Sequence, residues 1–148
     1  MFSLQRLFGN PNQLYELVEA AAAEVHRTTG LLATGLAKPG EPHLGRDLQK
    51  LHHNVGHLCA EIRKQLALQT PPELGKDDFE ALTQVLFKIS KTTAKFADRL
   101  AISSHHLRGM NFTAHGVLLN RASGIVVAMV RELRRLRDLP ALRQTNEQ

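Results

Sequence analysis

The sequence predicts an all-α protein, an antiparallel bundle of four long helices, and three observations carry that expectation. Apolar residues recur in alternating three- and four-residue steps over long stretches, as a helix with one buried face requires. Glycine and proline gather at a few points, whereas a sandwich or barrel needs turn residues about every eight to twelve positions. Leucine and alanine abound, while tryptophan is absent and tyrosine occurs once. A chain of 148 residues is the size of one domain and can bury a sizeable core. Residues 1–140 are therefore read as the bundle and 141–148 as a polar tail.

The first helix is expected from Pro11 to about Ala37, with Asn10 as its cap and Pro11 in the first turn, where a missing N–H costs nothing. Leu14, Leu17, Val18, Ala21, Val25, Leu31, Leu32 and Leu36 keep helical spacing, and Lys38-Pro39-Gly40-Glu41-Pro42 ends the run. Glu16, Glu19 and Glu24 read as its solvent face. The second helix, from about His43 to Gln69, carries the clearest seam of all: Leu44, Leu48, Leu51, Val55, Leu58, Ile62 and Leu66. It stops before Thr70-Pro71-Pro72, because the residue ahead of a proline is pushed out of the helical region.

Gly75 or Lys76 opens the third helix, whose first turn holds Asp77, Asp78 and Glu80, negative charges that complement the helix N-terminus. Phe79, Leu82, Leu86, Ile89, Thr93, Phe96 and Leu100 form its seam, and Ser103 to Gly109 reads as its frayed end and the connection onward. The fourth helix is expected from about Asn111 to Arg137. Leu118, Ala122, Ile125, Met129, Leu133 and Leu136 are in register there, Val126, Val127 and Val130 broaden the stripe, and Leu139-Pro140 ends it. So wide an apolar stripe invites cover by a second copy, and a homo-oligomer is expected.

Charge and cysteine content narrow the setting. Lysines and arginines exceed acids by five, and the excess lies entirely in the second half, where Lys88, Lys91, Lys95 and Arg99 share one side of the third helix. Arg131, Arg134, Arg135 and Arg137 crowd the end of the fourth. Such stripes can hold phosphates. Without interleaved aromatics, a glycine loop or a recognition helix, a nucleic-acid partner is not expected. Cys59 is the only cysteine, so it forms no internal disulfide and reads as an inert, partly buried thiol in a reducing compartment. No uninterrupted apolar run approaches the roughly 20 residues that cross a bilayer. The opening Met1-Phe2-Ser3-Leu4-Gln5-Arg6-Leu7-Phe8 lacks the form of a signal peptide. The expectation is a cytoplasmic protein with no transmembrane segment.

The most unusual local composition is His52-His53-Asn54-Val55-Gly56-His57. His53 and His57 are four apart and so share a helical face at metal-ligating spacing. Their heptad positions point outward, which favours a solvated pair. A transition-metal site built on His52, His53 and His57 is the alternative, with His105 and His106 as further ligands if the fold gathers them. No phosphate loop, His-Glu-x-x-His or nucleophile elbow occurs, so catalysis by this chain is not expected. Phe87, one step past Leu86, reads as either a core-edge residue or an exposed anchor for a partner.

Four features together resemble the PhoU-like family of phosphate transport regulators, helical proteins that accompany low-affinity phosphate permeases. They are the opening Met1-Phe2-Ser3-Leu4 before a capped helix; the block Leu51-His52-His53-Asn54-Val55-Gly56-His57-Leu58-Cys59-Ala60-Glu61-Ile62; the Thr70-Pro71 break with acids opening the next helix; and the run from Leu82 to Leu100. The likeness covers roughly residues 1–138, in pattern and length. Family members are usually longer by two helices, and each of their second and third helices carries an acidic pair that holds metal ions. Laid on this chain, those positions are His52, Gly56, Phe87 and Lys91, none of them a carboxylate. The resemblance thus implies a metal site that has been dismantled, with no resident cofactor, and a regulatory or adaptor role exercised through protein contacts. The implied partner is a phosphate transporter, met by the face that bears Phe87, Lys88, Lys91, Lys95 and Arg99.

Overall fold

The computed structural model describes residues 11–37, 43–68, 75–107 and 109–145, with side chains described for all of these except 11 and 136–145. Met1 to Phe8, Asn10, the breaks at 38–42 and 70–72, and the side chains of Leu136 and Arg137 lie outside the described residues.

The chain is an all-α, four-helix bundle: α1 (Pro11–Ala37), α2 (Leu44–Leu68), α3 (Lys76–Ile102) and α4 (Thr113–Thr145). Three of the four begin and end within a residue or two of the expected limits. Helix α3 opens at Gly75, whose carbonyl accepts from Asp78 N–H at 3.0 Å. Before α4, Gly109 takes φ +86°, a left-handed conformation that a side chain would strain. Asn111 Oδ1 then accepts Thr113 N–H at 2.9 Å and satisfies a free amide of the first turn. Unlike the expected stop at Leu139-Pro140, α4 continues to Thr145. Pro140 removes one rung of the ladder, and the helix carries on across the gap.

Helix α1 is the hub, packing against each of the other three, while α2 and α3 also pack together and α4 meets α1 alone among the described residues. Tyr15 meets the Phe79 ring edge-on at a centroid separation of 5.4 Å. At the other end of both helices Leu36 clusters with Leu100, so α1 and α3 run parallel, with α2 and α4 opposed to them. One core cluster joins Leu14, Val18, Val25, Val55, Ile62, Phe79 and Leu86 with Val127 and Val130. A second closes the far end around Leu32, Leu36, Leu44, Leu48, Ala97 and Leu100.

The seams of α1 and α2 are buried as expected, apart from half-buried Leu17, Leu31, Leu51 and Leu58. On α3, Phe79, Leu86, Thr93 and Leu100 are buried as expected, and the rest of the buried line runs one step round from Leu82, Ile89 and Phe96, through Thr83, Ser90 and Ala97. Thr83 and Ser90 are fully buried, whereas Phe96 is 45% exposed. Their hydroxyls make this possible, since Thr83 donates to Phe79 O at 2.6 Å and Ser90 to Phe87 O at 2.9 Å. A buried hydroxyl satisfied within its own helix removes the desolvation cost that would otherwise exclude it.

Helix α4 departs furthest from its expected register. Leu118, Ile125 and Met129 are 64%, 55% and 64% exposed, and the buried line is Gly116, Ser123, Val127 and Val130. The reason lies in how closely α4 approaches α1. A Cβ on Gly116 would lie 3.0 Å from Ala33 Cα, one on Gly30 would lie 3.2 Å from Asn120 Oδ1, and one on Gly124 would lie 3.5 Å from His26 Cε1. Leucine or methionine would not fit that contact, so they face out. Polar groups hold it instead: Ser123 Oγ lies 2.7 Å from His26 Nδ1 and 2.6 Å from Thr29 Oγ1. Of the acids of α1, Glu16 is exposed as expected, Glu19 is half-buried and Glu24 is buried. Glu24, 8% exposed, accepts from Asn54 Nδ2 at 2.8 Å and from Arg27 at 2.9 Å. Glu16 and Glu19 sit 3.6 and 3.3 Å from Arg134.

Small residues at one face and large apolar ones at the other also give the stretch Thr113–Arg135 the length and composition of a bilayer-crossing helix, with 22% of its apolar window buried. The expectation of no such stretch counted only uninterrupted runs. Here Asn120, Arg121 and Ser123 interrupt the apolar residues without ending the hydrophobic character.

If the α1/α4 contact is set by backbone proximity, Gly116→Ala should force the helices apart and destabilise the fold by about 1–3 kcal/mol. Leu118→Ser, on the exposed side, should change stability by less than about 0.5 kcal/mol. Urea unfolding of both variants measures the difference, and similar midpoints would refute the packing argument.

Candidate functional site

The histidine-rich block of α2 faces the middle of α3, and the two helices bring together residues far apart in sequence. His52 lies one helical turn before Gly56, and across the interface its ring meets Phe87 at a centroid separation of 5.0 Å. Gly56 completes the contact: a Cβ there would lie 3.6 Å from Phe87 Cε2, so the missing side chain leaves the phenyl ring open to the groove. Gln49, His52, His53, Gly56, His57 and Phe87 line a cavity of about 590 Å³. A neighbouring hollow of about 540 Å³ shares Gln49, His53 and His57 and is completed by Arg46, Lys50 and Asn54.

His52 is the one imidazole here held in place by a side-chain hydrogen bond: its Nδ1 lies 2.9 Å from Ser90 Oγ, and the same hydroxyl lies 2.9 Å from Phe87 O. Burial lowers its pKa below the usual histidine value, and the nearby charges of His53 and Lys91 push the same way. His53 and His57 are exposed, with rings 6.3 Å apart. His105 and His106 stack at 3.6 Å in the turn beyond α3. That turn is more than a dozen residues past Ser90, about 18 Å or more along the helix axis, so they are not gathered with His52. Among the described residues no group of three or more His, Cys, Asp or Glu side chains is placed to hold a metal ion. Cys59 is 1% exposed, and burial pushes its thiol pKa up against the opposing effect of Arg63.

The four positions singled out by the family resemblance thus form one patch: His52 against Phe87, Gly56 beneath the same ring, and Lys91 close enough to act on His52. Phe87 is half-buried, packed on the core with one face toward the groove. Lys88, Lys91, Lys95 and Arg99 are all exposed on α3, and among the described residues none has an ion-pair partner, the ion pairs being formed by other residues. Sequence reasoning missed Ser90, which holds the His52 ring in place, because a serine within an apolar run carries no signal of its own. It also missed a second, apolar pocket of about 300 Å³ at the α3/α4 end, lined by Leu36, Phe96, Arg99, Leu100, Ser103, Leu107 and Phe112.

No protein-family model, curated protein or solved structure matches this chain.

The depressed pKa of His52 sets a sign for pH dependence. Above about pH 6.5 the group is neutral in both folded and unfolded chains and contributes no pH slope. As pH falls below that value the unfolded chain takes up the proton first, so stability drops until the folded group also protonates. His52→Gln should flatten the fall in melting temperature between pH 7.5 and 5 relative to the parent protein. An unchanged slope would show that His52 titrates alike in both states.

Proposed function

We propose that this chain is a non-catalytic adaptor of the PhoU-like kind, acting in the cytoplasm through protein contacts on its α2/α3 face, with a phosphate transport system as the partner. The observation that carries the reading is the clustering of His52, Gly56, Phe87 and Lys91. The resemblance chose these positions from sequence register alone, and they meet across two helices, as carboxylates sharing a metal cluster would have to. In this chain the patch offers an imidazole, an open ring face and an ammonium. Hard cations require oxygen ligands, and Lys91 places positive charge where a cation would sit. What remains is a surface for a partner: an aromatic anchor at Phe87 flanked by Lys88, Lys91, Lys95 and Arg99, cations that suit a phosphate or an acidic segment. A transition-metal role for His52, His53 and His57 draws less support, because only His52 has the oriented ring that a ligating imidazole needs.

Two experiments test the proposal. Restoring acids at the four positions, as His52→Glu, Gly56→Asp, Phe87→Asp and Lys91→Asp together, should create a site for Mn²⁺ or Fe³⁺ detectable by calorimetry and absent from the parent chain. A folded quadruple variant without metal affinity would sink the register on which the resemblance rests. Co-purification with an inorganic phosphate permease should succeed with the parent chain and fail with Phe87→Ala plus Lys91→Glu. Equal recovery with both proteins, or recovery with neither, would refute the adaptor role of this face.

A further inference from the structure

Helix α4 buries Gly116, Ser123, Val127 and Val130 toward α1, and a second seam runs along its opposite side. Leu118, Ala122, Ile125 and Met129 step by four, three and four, the spacing of a coiled-coil seam. Ile125 lies two residues past Ser123, just over half a turn of helix, so this row faces away from α1. All four residues are exposed. The same spacing carries the row three residues further at each end, to His115 and Glu132, which are exposed as well. Among the described residues α4 packs on α1 alone, so nothing described within the chain covers this face.

Turned end for end, the row complements itself. About a twofold axis, a contact of one residue with another is repeated with the two copies exchanged. An antiparallel pair whose axis passes between Ser123 and Gly124 sets Leu118 against Met129 of the second copy, Ala122 against Ile125, and His115 against Glu132. The smallest residue of the row thus meets a bulky one, and an imidazole meets a carboxylate at each end. The residues that flank the seam agree: Arg121 comes opposite Ala128 and Arg135 opposite Ala114, so no like charges meet. A parallel pair would stack Glu132 on Glu132 and His115 on His115, and would leave a gap where Ala122 met Ala122. We propose that the outer face of α4 is the seam of an antiparallel homodimer of this chain. Glu132 bonds Arg135 at 3.0 Å within its own helix, and a carboxylate has acceptor sites to spare for the imidazole of the other copy. The length and hydropathy of Thr113–Arg135 would also suit a bilayer, but a spanning α4 would have to give up the contacts of Ser123 with His26 and Thr29. Pairing with a second copy keeps them. None of the seam residues belongs to the α2/α3 patch, so the two proposals stand or fall separately.

Sedimentation equilibrium of the full chain at about 50 μM, enough to populate a dimer of micromolar affinity, should give twice the 16.5 kDa mass of one chain. Ile125→Glu should return the protein to a monomer with its circular dichroism unchanged, and Phe87→Ala should leave the dimer intact. His115→Glu alone, which brings two carboxylates together, should weaken the dimer at least about tenfold. Adding Glu132→Lys to it should restore the parent affinity, a rescue that a merely damaged fold would not show. Orientation is read by cross-linking: Leu118→Cys and Met129→Cys chains, oxidised in air, should form a disulfide-linked dimer when mixed and not when kept apart, Cys59 being buried. A monomeric parent chain, a dimer that survives Ile125→Glu, a charge exchange without rescue, or a Leu118→Cys chain that cross-links with itself would overturn the proposal. So would flotation of the parent chain with phosphatidylglycerol vesicles that Ile125→Glu abolishes.

Discussion

The architecture turns on how closely α4 lies against α1. Gly116 backs onto the Ala33 backbone, and Gly30 and Gly124 leave room for Asn120 and His26. Across that narrow gap the His26, Ser123 and Thr29 side chains bond one another. Helices that meet through small and hydroxyl-bearing residues gain close van der Waals contact and satisfied hydrogen bonds, and bury comparatively little hydrocarbon. The large apolar residues of α4 are consequently left for the other side. This one constraint explains why, among the described residues, α4 touches only α1 and why Leu118, Ile125 and Met129 are in solvent. The ion pair from Arg134 to exposed Glu16 adds little by comparison, because a pair with so exposed a partner is worth at most about 1 kcal/mol.

The same constraint marks the limit of what the residues disclosed. Fold class, helix number and most boundaries were legible, because Leu48, Val55, Ile62 and their counterparts on α1 obey a simple rule: the largest apolar residues at helical spacing go inside. The rule failed where close approach mattered more than hydrocarbon. On α4 it chose Leu118, Ile125 and Met129 and passed over Gly116 and Ser123. On α3 it chose Phe96 and overlooked Thr83 and Ser90. Glu24 was placed in solvent for the same reason, since nothing in its neighbours along the chain announces Asn54 and Arg27 as partners. Small and polar residues reveal their burial only through what lies across from them, and that information is tertiary.

The candidate site divides along similar lines. The cluster of histidines was visible as composition, but their grouping was not: His52 belongs with Phe87, Ser90 and Lys91 on α3, while His53 and His57 look outward. Three histidines of one short block therefore serve different surroundings, as the one-hundred-degree step of a helix requires. Cys59, expected to be an inert thiol, is buried with a raised pKa, which keeps it protonated and unreactive.

Two faces of α3 consequently offer different chemistry. Toward α2 it presents Phe87 and Lys91 beside an oriented, neutral imidazole, a polar groove with one aromatic wall. Toward α4 it presents Val85, Ile89 and Phe96, an apolar and partly exposed row that ends in a pocket. The row of Lys88, Lys95 and Arg99 runs between the two and can contribute cations to either. On the adaptor reading proposed above, such a surface would supply an anchor at Phe87 and a charge pattern in the exposed cations of α3, with the His52 ring held at its edge by Ser90.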